Sequence, residues 1–342
     1  MLSVNGLVLI DAPHSALNNA GIDPGARTEN TVAVKTIRRG REVFPYVSGQ
    51  AWRYWWRTTL AEEIGWTLSP VTKVERKNQA FTKADPFAYP DDDVFGYMRA
   101  IKSKAEATLT RVSPLKCSPL VSAFPQLPTT DFGVMARHGG HPVTYNHEFY
   151  STILKGIFSL DLTRLGRFEM DERTGYKNLD KNYVEKEIKA SVEESGAQED
   201  TARRLWTLPV DVRAKRAADT LAALKVLHGG AKHTTHLTDV VPKLIVLTCV
   251  EGGNHLFMNV AASGDGEPLI KTDALESVLL DYRDLLKTPV FIGRTVGFAD
   301  DLAEPLANLQ KALAGQVDVR IGSVVAAIDA FSQLLPDLVK QA

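Results

Sequence analysis

Three tryptophans within five residues, Trp52, Trp55 and Trp56, constrain this chain more than any other feature. They follow Ser48-Gly49-Gln50 and lead to Leu60, at the spacing of one apolar side of a helix. A helix from about Gln50 to Ile64, N-capped by Ser48, therefore has to bury that side on a large apolar layer. A chain of 342 residues, 44% of them apolar, can build such a layer without covalent staples. The two cysteines, Cys117 and Cys249, share no motif, which fits a reducing cytoplasm. No run approaches the ~18 apolar residues of a membrane span. The opening MLSVNGLVLI lacks a basic leader and is broken at Asn5-Gly6, so it reads as a strand and not a signal peptide.

Around the helix the pattern is α+β with insertions, without regular strand–helix alternation. Leu2–Ile10 reads as a first strand ending at Asp11-Ala12-Pro13, and Thr31–Ile37 as a second. Residues 68–96 form a Pro-, Lys- and Asp-rich excursion. Residues 113–147 hold many Pro and Gly and little periodicity, the mark of a functional or mobile stretch. Val143–Leu160 returns to β character. Residues 181–227 are helical in pattern, with five Lys/Arg against nine Asp/Glu in 171–200 and seven Lys/Arg against two Asp in 203–232. That polarity suits either an acidic face meeting a neighbour's basic face or two solvated helix faces. Lys243–Val250 and His255–Ala261 read as a strand pair across the Glu251–Asn254 turn. Residues 272–340 read as amphipathic helices with one strand, 289–296, between them.

Net charge is −1, so a nucleic-acid site has to come from local charge or from many copies acting together. Arg53 and Arg57 lie one turn apart near a helix N-terminus, where backbone amides favour an anion and Ser48 and Gln50 add donors. This is a phosphate-binding corner, or an arginine face paired with Glu62, Glu63 or a partner subunit. Arg27, Lys35, Arg38, Arg39 and Arg41 extend it to a stripe if Thr31–Ile37 pairs with the first strand. His228-Gly229-Gly230-Ala231-Lys232 offers a glycine anion nest, or a helix C-cap. The spaced pairs His233/His236 and His138/His141 suggest a metal only if further ligands join them, with Asp131, His147 and Glu148 as recruits, and no HExxH or CxxC supports it. Phe124, Phe132 and Met135 can wedge between bases or pin their loop.

Read together, these residues resemble a known family. Asn18-Asn19-Ala20-Gly21, Arg27-Thr28-Glu29-Asn30, Lys35 and Phe44 through Arg57 are similar to the N-terminal signature of the DevR group, the Cas-seven backbone subunits of type I-B CRISPR Cascade. Val94–Tyr97, Arg111–Leu115 and His228–Lys232 follow in matching order. The resemblance implies an RRM-like (ferredoxin-like) palm spanning 1–342, with a finger/thumb insertion at 68–147, a helical insertion at 181–228 and a C-terminal helical part at 266–342. It implies a non-enzymatic subunit without cofactor, polymerising head to tail on a guide RNA (crRNA) that it reads by backbone. The expected partners are further copies, the target DNA strand, a guide 5′-handle subunit, a large subunit and a 3′-processing endonuclease. Asn18, Arg27, Lys35, Arg38, Arg39, Ser48, Gln50, Arg53, Arg57, His228, Gly229, Gly230 and Lys232 are its implied RNA contacts. Phe124, Phe132 and Met135 are candidates for a base-wedging thumb, placed within 119–147. A metal-dependent hydrolase built on the histidines is the alternative.

Overall fold

The computed structural model describes residues 1–22, 31–74, 79–99, 108–136, 139–171 and 177–342. The elements that position the site are β1 (Leu2–Ser15), β2 (Thr36–Arg39), β3 (Glu42–Val47), α1 (Gly49–Glu62), β4 (Leu120–Ser122), β5 (Thr129–Met135), β6 (Val143–Asp161), α2 (Val210–Ala222) and β7 (Leu244–Glu251). After them come α3 (Thr272–Asp281), β8 (Val290–Arg294), α4 (Ala303–Ala312), β9 (Val319–Gly322), α5 (Val324–Ser332) and α6 (Leu335–Gln341). The main sheet runs in the order β9-β8-β7-β1-β6-β4-β3-β2. On this path only β8 and β9 are parallel.

The central strand explains why its sequence alternates so loosely. Val4, Val8 and Ile10 face a core shared with Trp52, Trp56, Leu221, Ile328 and Leu338, from α1, α2, α5 and α6. Leu7 and Leu9 face a second core with Leu275, Leu279, Leu306 and Leu309, from α3 and α4. A strand covered on both faces carries apolar residues on both, so its apolar run is near-continuous. The tryptophans meet the expected fate: Trp56 packs edge-on to Phe158 at 5.1 Å, and its indole N–H donates to the Thr220 carbonyl at 2.7 Å. Gly6, which breaks the apolar run, makes room for Phe158, because a Cβ there would lie 2.2 Å from that ring.

Several sequence expectations need correction. β1 does not stop at Ile10. It runs to Ser15, with an irregularity between Ala12 and Ser15 that absorbs Pro13. Thr31–Ile37 is not one strand beside β1. Thr31–Val34 pairs with Asn19–Ile22 and with β6, Thr36–Arg39 pairs with β3, and the chain breaks at Lys35. His255–Ala261 forms turns and no strand, because both edges of β7 are already taken by β1 and β8. The irregular stretch 113–147 carries strands, Leu115–Cys117, β4 and β5, too short or too polar to show a period. The helical pattern of 181–227 is interrupted by two short strands, Gln198–Asp200 and Leu205–Thr207, and the added strand β9 was not foreseen.

The largest correction concerns charge. Arg213 and Arg216, counted above as a basic face, are buried. Arg213 donates to the Leu165 and Leu162 carbonyls at 2.7 and 2.9 Å. The acidic run of the 68–96 excursion is also interior: Asp91, Asp92 and Asp93 lie on a short helix, Pro90–Phe95, and are all buried.

Candidate nucleic-acid interface

Ser48 begins α1 as expected, its Oγ accepting from the Ala51 amide at 3.2 Å. Its own amide donates to Asn18 Oδ1 at 2.9 Å, and the Asn18 carbonyl accepts from the Lys35 amide at 3.0 Å. Asn18 thus joins three segments that the sequence keeps apart. The preceding residue joins a fourth, because the Ala231 amide donates to the Leu17 carbonyl at 3.0 Å. Gly229 and Gly230 adopt φ of +147° and +107°, where side chains are strained. A Cβ on Gly229 would lie 2.3 Å from Trp55, and one on Gly230 2.5 Å from Leu17. The double-glycine loop therefore lies flush against α1. These hydrogen bonds bring the backbone of Asn18, Lys35, Ser48 and the Gly229–Ala231 loop to one corner, with Gln50 in the first turn of α1 and Lys232 next to Ala231, beside the leading amides of α1 that no helix carbonyl can reach. His228 does not join it. It sits at the other end of α1, its Nε2 3.3 Å from Glu62 Oε2. Arg27 lies outside the described residues.

The two arginines share a face, as their spacing requires, but protein groups occupy them. Arg53 donates to the carbonyls of Leu115 and Phe95 and to Ser113 Oγ, and lies over the Phe95 ring. Arg57 stacks on the same ring at 4.6 Å, with its Nε 3.8 Å from Asp91 Oδ2. Both guanidinium groups tie α1 to the Pro90–Phe95 helix. Arg38 and Arg39 lie on the exposed edge strand β2.

Asp91 gives the contact between α1 and the Pro90–Phe95 helix a pH signature. Burial is the main cause that lifts its pKa from 3.8 to about 6, against the opposing hydrogen bond from the Ser69 amide. The folded carboxyl binds its proton more tightly than the unfolded one, so its ionisation weakens the fold, and this penalty is relieved as pH falls through about 6 towards 3.8. Asp91→Asn keeps an oxygen for Ser69 and is expected to lose that component. Urea midpoints at pH 7 and pH 5 should show the native protein gaining stability relative to the variant at pH 5. A difference that stays flat with pH would count against this account.

β5 and the start of β6 form a hairpin ribbon from Thr129↔Phe149 to Met135↔Val143. Phe132 is 60% and Met135 51% exposed, while Phe124 is half-buried before the ribbon starts. Three residues apart on one strand, Phe132 and Met135 project from opposite faces, so the two cannot act at one base step together. On the Met135 face, His147 lies 3.6 Å from Asp131 and edge-on to His236 at 5.7 Å. Burial lowers the His147 pKa, outweighing Asp131. His233 turns away to the Gly229 carbonyl. Among the described residues no three His, Cys, Asp or Glu gather as a metal site, and His138 lies outside them.

The site therefore lies where a helix N-terminus meets a double-glycine loop beside an open mixed sheet with helices on both faces. Residues 14–264 match the family model of the CRISPR-associated negative auto-regulator DevR/Csa2, and the chain belongs to that family. Among solved structures, it is similar to a chain described as "CRISPR RNA-guided surveillance complex", with TM-score 0.55, 14% identity and coverage of 97% of this chain and 98% of the other. It is also similar to a chain of such a complex in a pre-nicking state, with TM-score 0.56, 14% identity and coverage of 97% and 99%. At this identity the likeness is one of fold. No curated protein matches the sequence. No helix among the described residues is long and apolar enough to cross a membrane.

Proposed function

We propose that this chain is the guide-RNA-binding backbone subunit of a CRISPR effector complex of the type I-B Cascade kind. It polymerises head to tail along the crRNA, contacts the RNA backbone without reading sequence, and has no catalytic role. The observation that carries the reading is the corner itself: Leu17 and Asn18 hold the N-terminus of α1 and the Gly229–Lys232 loop side by side. Such a corner of amides, hydroxyl and lysines recognises phosphate, which positions a strand irrespective of its bases. The order β1, α1, β4, β6, α2, β7, with strand order β7-β1-β6-β4, supports reading this part of the chain as an RRM-like (ferredoxin-like) palm. In this reading the β5–β6 ribbon is the thumb, and Phe132 or Met135 displaces a base. Other Cascade subunits and the target DNA strand are the further partners.

The test is light scattering of the full chain with guide RNAs of graded length. Mass is expected to rise in steps with RNA length, and a mass that ignores RNA would sink the reading. Within such complexes, Lys35→Ala with Lys232→Ala is expected to weaken binding equally for unrelated spacers. It should also flatten the log–log salt dependence by about 1.4, at about 0.7 per phosphate contact to a single strand. Loss confined to some spacer sequences would contradict backbone recognition.

A further inference from the structure

The sheet face opposite α1 is covered only in part. α3 and α4 protect the side formed by β1, β7 and β8. Over β6, β4 and β3 the cover stops, leaving a groove of about 590 Å³, within the usual range for small-ligand sites. Its floor is Leu7, Val121 and Ile157, and Met258, 65% exposed, stands on one wall.

Three cations gather around this floor. Arg39 reaches in from the edge strand, its guanidinium 5.6 Å from the Phe44 ring centre. Lys155 projects from β6 and is pinned by the Ala261 and Ala262 carbonyls and Ser263 Oγ. Lys271 lies at the far end, bonded to Glu267 at 2.9 Å. The cations repel one another: the pKa of Lys155 falls to about 8, first through burial and then through Arg39 and Lys271. The Glu267 carboxylate opposes them at Lys155. The three cations are far apart in sequence, and the phosphate corner uses neither lysine.

The groove and that corner back onto the same segment from opposite sides. The groove's wall residues Ser118 and Pro119 sit behind Gly49, whose Cβ position is 3.7 Å from the Ser118 carbonyl and 3.8 Å from the Pro119 nitrogen. We propose that the groove is a second nucleic-acid surface that takes unpaired nucleotides of a single strand, with phosphates at Arg39 and Lys271 and a base against Leu7, Val121, Ile157 and Met258. The proposal rests on the RNA-binding reading above, but concerns a different face. An excess of positive charge beside an apolar floor selects an anion that also carries a flat apolar surface, and an unpaired nucleotide has both. Phe44 is covered by Arg39, so the base meets aliphatic groups and no aromatic ring.

The test is photocrosslinking of the native full-length protein to single-stranded RNA carrying 4-thiouridine, with the crosslinked peptides mapped by mass spectrometry. Crosslinks in the Ser118–Ser122 or Met258–Ser263 peptides are expected, beside those of the corner. Crosslinks confined to residues 48–57 and 229–232 would overturn the groove and leave the corner standing. No crosslink anywhere would remove the RNA-binding reading itself. As a second measurement, Arg39→Glu with Lys271→Glu is expected to weaken RNA binding at least tenfold. If that variant binds RNA normally but changes the self-association of RNA-free protein, the groove takes an acidic protein segment and the proposal fails.

Discussion

Asp93→Ala is expected to remove about 3–5 kcal/mol from the unfolding free energy, the scale for a buried ion pair that loses one partner. The Asp93 carboxylate is fully buried between two buried guanidinium groups. One oxygen pairs with Arg111, and the other accepts from Arg216 at 2.7 Å. Both also accept from the Gly166 amide, at 3.1 and 3.0 Å. Arg111 further holds the Arg164 and Arg167 carbonyls, and Arg216 those of Pro86 and Phe87. The carboxylate is thus the common anchor of the Pro90–Phe95 helix, the Asp161–Arg167 turn and α2. Without it, two cations face each other in the interior with nothing between them. Guanidinium unfolding monitored by tryptophan fluorescence measures the loss. Arg111→Met, which removes one cation and leaves the Asp93–Arg216 pair, is expected to cost less. A loss below about 1 kcal/mol for Asp93→Ala would show that the network is hydrated and does not carry the fold.

Gly229→Ala is expected to cost about 2–4 kcal/mol and to lower RNA affinity with it. Two effects combine: the backbone sits at a φ of +147°, and the new methyl would meet Trp55 at 2.3 Å. Trp55 is nearly buried and cannot turn aside, so the loop has to lift from α1. Lifting it breaks the Ala231–Leu17 hydrogen bond and carries Lys232 away from the Ser48 corner. Gly230→Ala should be milder, because its methyl meets the tip of Leu17, a flexible side chain. Denaturation midpoints and fluorescence anisotropy with a short single-stranded RNA measure the two effects. Equal stability of the two variants would falsify the claim that contact with Trp55 shapes this loop.

Much of the local structure was legible in the sequence. The tryptophan stripe required a buried helix, Ser48 marked its start, and paired glycines marked a close backbone approach. Each of these signals is local, a spacing of 3.6 residues or a residue type tied to one conformation. β5 and β9 were less legible, because a short strand with exposed neighbours carries no clear period. His255–Ala261 misled for the opposite reason: its composition suits a strand, but no strand edge was left for it to pair with.

What the sequence alone determined is therefore the set of elements that bury apolar surface, and the corner where α1 begins. Which charges are available to a ligand was decided only by the tertiary structure. Arg53, Arg213 and Arg216 are spent on carbonyls and carboxylates far away in the chain, and Lys155 on the Ala261 and Ala262 carbonyls, while Arg39 and Lys271 come from distant segments to line one groove. A side chain carries its charge wherever it lies, but its partner is set by which distant segments fold against it, and no local pattern records that.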